Sequence, residues 1–271
     1  MDEQYFGLQI YLDQKHRSRY QTMPRSFDQN WMQGGKLNKH EQISHLFYKA
    51  NKDPCKIWPR YRNNADADWI TTESGIPWLK LHKEIPTHQI LAEIKQAEHL
   101  LINHRDEYNE HRGWRSFCLH GKSLKQTQHC EDSRPFQWVP EIQNLMPKTV
   151  EFFRSWAIGN YERIRVMALQ PKGYIALHRD LVREQESNFL TAINIAITQP
   201  DDCHFIIKDW GQIPFSPGDA YMPDINNWHA VFNHSEQTRY HIIVHSNNWT
   251  DSFKETIRRS YDLMHGMKSH G

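Results

Sequence analysis

The chain is poor in the features that mark several large protein classes. Its four cysteines, Cys55, Cys118, Cys130 and Cys203, form no C-x-x-C pair. That excludes zinc ribbons and thioredoxin-type redox motifs and leaves reduced, buried thiols as the plain reading. No apolar run approaches the roughly 20 residues that span a bilayer. Net charge is nearly absent: 33 Lys and Arg stand against 32 Asp and Glu, for +1. A protein held to nucleic acid or anionic lipid by bulk charge is therefore not expected. The opening Met1-Asp2-Glu3-Gln4 has neither a basic nor an apolar segment, so no signal peptide is expected and the cytoplasm is the expected setting. Aromatics, by contrast, are plentiful. With 10 Trp, 11 Tyr and 12 Phe, the mean hydropathy of −0.82 belongs to a folded chain rather than a disordered one. Its 271 residues fit one large domain with extensions.

Periodicity divides the chain. The first 80 or so residues read as irregular and polar. From Thr87 to about His104, the residues Ile90, Leu91, Ile94, Ala97 and Leu101 form one apolar stripe and predict a helix. A second helix is predicted from Pro147 to about Ala157, with Val150, Phe153 and Trp156 on one face. After Gly159 the pattern turns to short strands. Ile164–Leu169 is expected to end at Pro171, and Tyr174–Leu177 follows as a separate strand. Ile193, Ile195 and Ile197 then alternate with smaller or polar residues, and further strands follow at 203–208, 219–222, 228–232 and 239–245. A closing helix is predicted from about Thr250 to Met264. The expected class is mostly β with flanking α-helices, a jelly roll or β-sandwich. Three regions result: an N-terminal extension over 1–84 that could form a substrate lid, a core over 85–249, and a helix and tail over 250–271.

Eighteen histidines are many for this length, and several fall between His178 and His245. Within the strand region stands His178-Arg179-Asp180, with His229 forty-nine residues past the Asp and Arg239 ten residues further. On a strand, residues two apart share a face. His178 and Asp180 can therefore reach one metal ion, and His229 on a neighbouring strand can supply a third ligand. Two imidazoles and a carboxylate on one side of an octahedral ion form the facial triad of non-heme Fe(II) oxygenases. The tripeptide alone is weak evidence, because H-x-D occurs a second time at His104-Arg105-Asp106. That copy lies at the end of a helical stripe, where residues two apart diverge, and is read as a decoy. His-Arg-Asp also opens the kinase catalytic loop, but Gln185 replaces the required Asn and no G-x-G-x-x-G occurs.

Four segments resemble the aspartyl/asparaginyl β-hydroxylase-like branch of the 2-oxoglutarate-dependent oxygenases. They are Gly113-Trp114-Arg115-Ser116-Phe117-Cys118-Leu119, Met146-Pro147-Lys148-Thr149-Val150, Leu177-His178-Arg179-Asp180, and Gly218-Asp219 through His229 and Asn233-His234-Ser235 to Arg239. The resemblance runs over about 85–247. It implies a double-stranded β-helix, cupin-like, with the metal at the barrel mouth. It implies His178, Asp180 and His229 as ligands of Fe(II), and Arg239 as the partner of the C5 carboxylate of 2-oxoglutarate. A planar guanidinium suits that two-point pairing. His241 shares the strand face of Arg239. Asn194, opposite the isoleucine stripe, aligns with a contact to the other carboxylate of the cosubstrate. Met167 stands where the family places a Ser, and Val244-His245-Ser246-Asn247-Asn248-Trp249 replaces the family's Asp-x-Trp-His-Pro.

The resemblance implies hydroxylation of an unactivated C–H bond of an amino acid, free, carrier-bound or within a peptide, with dioxygen and 2-oxoglutarate. A different class is a cupin-like metal-binding or sensing protein without turnover, for which a carboxylate anchor at Arg239 has no use. An oxygenase acting on nucleic acid is disfavoured by the charge balance. His204, His234 and His245 read as hydrogen-bonded or solvent-facing rather than as ligands. The tryptophans, Trp114 among them, read as core.

Overall fold

The computed structural model describes residues 62–104, 111–125, 134–180, 190–208 and 210–266. Residues 1–61 of the possible lid over 1–84, Cys55 among them, lie outside this set, as do Asp106, Gln185 and Cys130. Two layers carry the fold: an antiparallel sheet curled on itself, and helices on its outer face.

The strands are β1 (Trp78–Leu81), β2 (Ile102–Asn103), β3 (His111–Gly121), β4 (Gln137–Trp138), β5 (Asn160–His178), β6 (Ala192–Ala196), β7 (Cys203–Ile207), β8 (Gly211–Gln212), β9 (Ala220–Pro223), β10 (His229–Asn233) and β11 (Arg239–Asn247). Their order is β1-β9-β6-β11-β5-β10-β7-β8, with β3 along the open side of β5. Leu169 through Asn160 of β5 pairs with β11, whereas Tyr174, Ile175 and His178 pair with β10. One strand thus belongs to two half-sheets, β9-β6-β11-β5 and β5-β10-β7-β8. Their interleaved order is that of a double-stranded β-helix.

The continuity of β5 corrects the expectation of two strands broken at Pro171. Proline cannot donate to a ladder. Pro171 falls in the gap between the two partners, where no strand asks for its N–H. The bend there is tight. Lys172 has φ +60°, and a Cβ on Gly173 would meet Arg112 O at 2.7 Å and Gln170 O at 2.8 Å.

The helices are α1 (Ala67–Thr72), α2 (Thr87–Ala97), α3 (Pro140–Leu145), α4 (Pro147–Trp156) and α5 (Asp251–Met264). Helix α2 is shorter than predicted. A 3-10 turn over Glu98–Leu100 ends it, Leu101 turns extended, and Ile102 pairs with Ser116 of β3. The Arg115 guanidinium bonds the Leu101 carbonyl and holds that exit. The region before residue 80 is not irregular throughout: Asp66 caps α1, and β1 pairs with β9 at the sheet edge.

Strand parity sorts the residues between the layers. Ile164, Val166 and Ala168 of β5, Tyr240, Ile242 and Val244 of β11, and Ile193 and Ile195 of β6 with Ile197 just beyond it join one apolar cluster. Ile90 and Ile94 of α2, Val150 and Phe153 of α4, and Phe253, Ile257 and Tyr261 of α5 complete it. The intervening residues turn inward. Leu169, Ala196, Phe205, Ile207, Phe215, Tyr221 and Val231 fill a second cluster. Three of these, Leu169, Phe205 and Val231, line a cavity together with further inward residues.

Candidate metal and cosubstrate site

A cavity opens from the barrel interior to solvent. Its walls hold Arg165, Met167 and Leu169 of β5, Ala192 and Asn194 of β6, Phe205 of β7, His229 and Val231 of β10, and Arg239, His241, Ile243 and His245 of β11. His178 and Asp180 stand at one end of β5. All six residues singled out from the sequence therefore face one space.

His178 and His229 lie opposite each other in the β5–β10 ladder, with ring centroids 4.3 Å apart. Strand β5 ends at His178, so Asp180 reaches the group from the turn that follows. Its N–H donates to Ile225 O at 2.8 Å and fixes that turn. One ligand atom from each of His178, Asp180 and His229 lies within 4.8 Å of the others, a spacing that can hold a metal ion. The His229 Nδ1 sits 2.9 Å from Asn227 O, which makes it the donor and leaves Nε2 as a lone pair. Burial lowers the pKa of His229, against the opposing pull of the Asp180 charge and that hydrogen bond. The imidazole is thus kept neutral, the form a metal requires. The donor set of two neutral nitrogens and one carboxylate oxygen fits Fe(II).

Arg239 lies among neutral partners. It is 4 % exposed, its Nε donates to Gln199 Oε1 at 3.3 Å, and its Nη2 lies 2.7 Å from His241 Nδ1. Phe215 lies under the guanidinium, 6.0 Å from ring centroid to Cζ. No carboxylate pairs with Arg239 among the described residues. Burial of this cation lowers its pKa to about 10. His241 is fully buried, and burial, then the Arg239 charge, push its pKa well below the ordinary value. Asn194 Oδ1 stands 2.6 Å from the same His241 Nδ1. Met167 is opposite His241 in the β5–β11 ladder.

Some cavity residues were not singled out from the sequence. His104 follows β2 instead of ending a helix. It bonds Ser116 Oγ through Nδ1 at 2.7 Å, packs 4.0 Å from the Trp114 ring and lines the cavity. The helical placement behind its reading as a decoy is corrected, because α2 is shorter than expected; His104 is not in the group spaced to hold a metal among the described residues. Trp114 also lines the cavity, and its buried Nε1–H has no partner among the described residues. Arg165 was legible in principle, since it shares the parity of Met167 and Leu169. Gln199 lies beyond the end of β6 and carried no signal. His245 reaches the cavity, whereas His204 bonds Gln212 and Asp202 outside it.

The jelly-roll barrel and its contents define an Fe(II)- and 2-oxoglutarate-dependent oxygenase. The chain belongs to the aspartyl/asparaginyl β-hydroxylase family, whose profile matches residues 81–248. Its reaction consumes a substrate, 2-oxoglutarate and dioxygen together. No curated protein matches this sequence. Among solved structures, the chain is similar to the viral collagen prolyl hydroxylase of Paramecium bursaria Chlorella virus-1 in complex with 2-oxoglutarate. That likeness has 14 % identity and a TM-score of 0.37, and covers 65 % of this chain and 96 % of the other. It is similar to a Pseudomonas putida prolyl-4-hydroxylase, with 12 % identity, 67 % and 97 % coverage and a TM-score of 0.40. It is also similar to a Trichoplax adhaerens prolyl hydroxylase in complex with a hypoxia-inducible-factor peptide, with 11 % identity, 72 % and 91 % coverage and a TM-score of 0.42.

Among the described residues, no helix is long and apolar enough to cross a membrane.

Proposed function

We propose that His178, Asp180 and His229 hold the Fe(II), that Arg239 anchors the C5 carboxylate of 2-oxoglutarate, and that the substrate is an amino acid, free, carrier-bound or within a peptide, hydroxylated at an unactivated C–H bond. The observation that carries this reading is the buried Arg239 cation without a carboxylate partner, in one cavity with the triad. A buried charge is costly unless an opposite charge joins it. A dicarboxylate that reaches from Arg239 to the metal meets that need.

Bound iron and 2-oxoglutarate supply the oxidation of the C–H bond by dioxygen, with succinate and carbon dioxide as co-products. The chain's own residues supply position and dryness. The Asn227 carbonyl orients His229 so that Nε2 faces the ligand position. Asp180, on a turn tied to Ile225, contributes the anionic ligand. Asn194 and His241 flank the cosubstrate between its two ends. Leu169, Phe205 and Val231 give the cavity an apolar wall that disfavours water. The wall made by Ile225, Ile243, His245, Arg165, His104 and Trp114 is left to the substrate. Trp114 Nε1–H can donate to an acceptor there.

The test is anaerobic addition of Fe(II) and 2-oxoglutarate, read by the visible metal-to-ligand charge-transfer band. The wild-type protein is expected to give the band, His178→Ala to lose it, and Arg239→Ala to need at least tenfold more 2-oxoglutarate, since hydrogen bonds to charged groups contribute about 1.5–3 kcal/mol. No band in iron-loaded wild type would overturn the reading.

A further inference from the structure

Arg239 has only donors, and that single fact orders the hydrogen bonds around it. Because its Nη2 lies 2.7 Å from His241 Nδ1, that ring nitrogen must accept. A neutral imidazole that accepts at Nδ1 carries its proton on Nε2. Nε2 lies 3.0 Å from Gln199 Oε1 and donates to it. The same oxygen accepts from Arg239 Nε at 3.3 Å. The Gln199 amide is itself fixed, because its Nε2 donates to Cys203 O at 2.5 Å. The opposite tautomer would set two donors against each other at Nδ1. Asn194, whose Oδ1 lies 2.6 Å from the same Nδ1, fits this tautomer only with its amide O and N exchanged by rotation.

We infer that Gln199 is a positioning residue for cosubstrate binding: it fixes His241 as the Nε2–H tautomer, and with it aims Arg239. In a guanidinium, Nε–H and the nearer N–H of Nη2 form one edge, and Nη1 with the outer N–H of Nη2 forms the other. Gln199 and His241 occupy the first edge. The second edge, which matches a carboxylate in a two-point pair, is left for the ligand. Phe215 packs against both members, 4.9 Å from the His241 ring centroid and 6.0 Å from Arg239 Cζ, and restrains their roll. Gln199 touches neither metal ligands nor the expected substrate position. It acts through Arg239, and the inference rests on the assignment of Arg239 made above.

Two measurements test it. Long-range 1H–15N correlation spectra of the full-length protein, histidine-labelled and loaded with Zn(II) in place of iron, read the His241 tautomer directly. His241 is expected to carry its proton on Nε2 in wild type; a proton on Nδ1 would overturn the inference without recourse to any variant. The second measurement is 2-oxoglutarate affinity from the charge-transfer band. Gln199→Leu is expected to weaken it about tenfold, with Fe(II) affinity and kcat at saturating 2-oxoglutarate within twofold of wild type. Arg239→Met separates the two possible failures. If it abolishes binding while a folded Gln199→Leu binds as wild type, the role of Gln199 falls alone. If it leaves affinity unchanged, the anchor falls and this inference with it.

Discussion

A neutral histidine inside the barrel ties stability to pH. The pKa of His241 is depressed, by burial first and then by Arg239. The unfolded chain binds a proton at this residue below about pH 6.5, and the native state refuses it until far lower pH. Stability is therefore full above about pH 6.5 and falls as pH drops through the window beneath it, by about 1.4 kcal/mol per unit for one such group. His120, also lowered by burial, adds to the same slope. His241→Gln is expected to have a shallower fall between pH 6.5 and 5.5, by about one proton's worth. Denaturant melts at stepped pH measure it, and identical slopes would place the proton uptake elsewhere. At this scale much was legible. The shared parity of Arg239 with His241 follows from the two-residue repeat of a strand, and the motif His178-Arg179-Asp180 could be read as it stands, although Asp180 reaches the group from the turn after β5 and His229 by cross-strand pairing. Gln199 was not legible, because a residue past a strand end obeys no period and its importance comes from Arg239, forty residues away.

Among the elements, α4 shows how the layers lock together. Its N-terminus has no cap from its own chain segment. The carboxylate of Glu93, on α2, takes that place. Oε1 accepts from Lys148 N at 2.9 Å, and Oε2 accepts from Thr149 N at 2.9 Å and Thr149 Oγ1 at 2.6 Å. A carboxylate there satisfies orphan N–H groups and complements the helix dipole. Glu93→Ala is expected to cost about 2–3 kcal/mol, and Glu93→Gln less, since the amide keeps one acceptor. Chemical denaturation of the two variants decides it; equal losses would remove charge from the account. Sequence periodicity located α2 and α4 but overran the end of α2, because the exit at Leu101 is held by Arg115 and by pairing with β3. Those contacts are tertiary and leave no local signature. The bend in β5 is a similar case. Proline read as a break, and only the change of partner from β11 to β10 shows why it is accommodated. Gly173→Ala, which sets a methyl against two carbonyls, is expected to destabilise by about 1–3 kcal/mol, read by thermal unfolding. Wild-type stability in that variant would mean the bend gives way freely.

Over the whole molecule, the barrel depends on cover from both ends of the described chain. Helix α5 lays Phe253, Ile257 and Tyr261 into the outer cluster, and Ser260 Oγ accepts from His82 N at 3.0 Å. Helix α1 and β1 meet the same helix. Phe253→Ala is expected to cost about 3–5 kcal/mol, the usual range for a buried aromatic. It lies on the outer face, so 2-oxoglutarate affinity of the folded fraction should be unchanged. Loss of affinity at full folding would show that the helix layer shapes the cavity. The jelly roll itself was readable from short strands separated by turns. Its edge strand β1 was not, because nothing in its pattern set it apart from the residues before it.

The doubly flanked stretch of β5 has a consequence for solvent isotope exchange. From Ile164 to Leu169 this strand is paired with β3 on one side and β11 on the other, under the helix layer. No local fraying frees those amides, so their deuterium uptake tracks opening of the entire barrel. A ligand bound only to the native state slows such opening by its full binding free energy. The slowest-exchanging peptide in this protein should therefore be a gauge of cavity occupancy: it should lengthen its exchange lifetime when metal and 2-oxoglutarate are added, although its outward-facing residues touch neither.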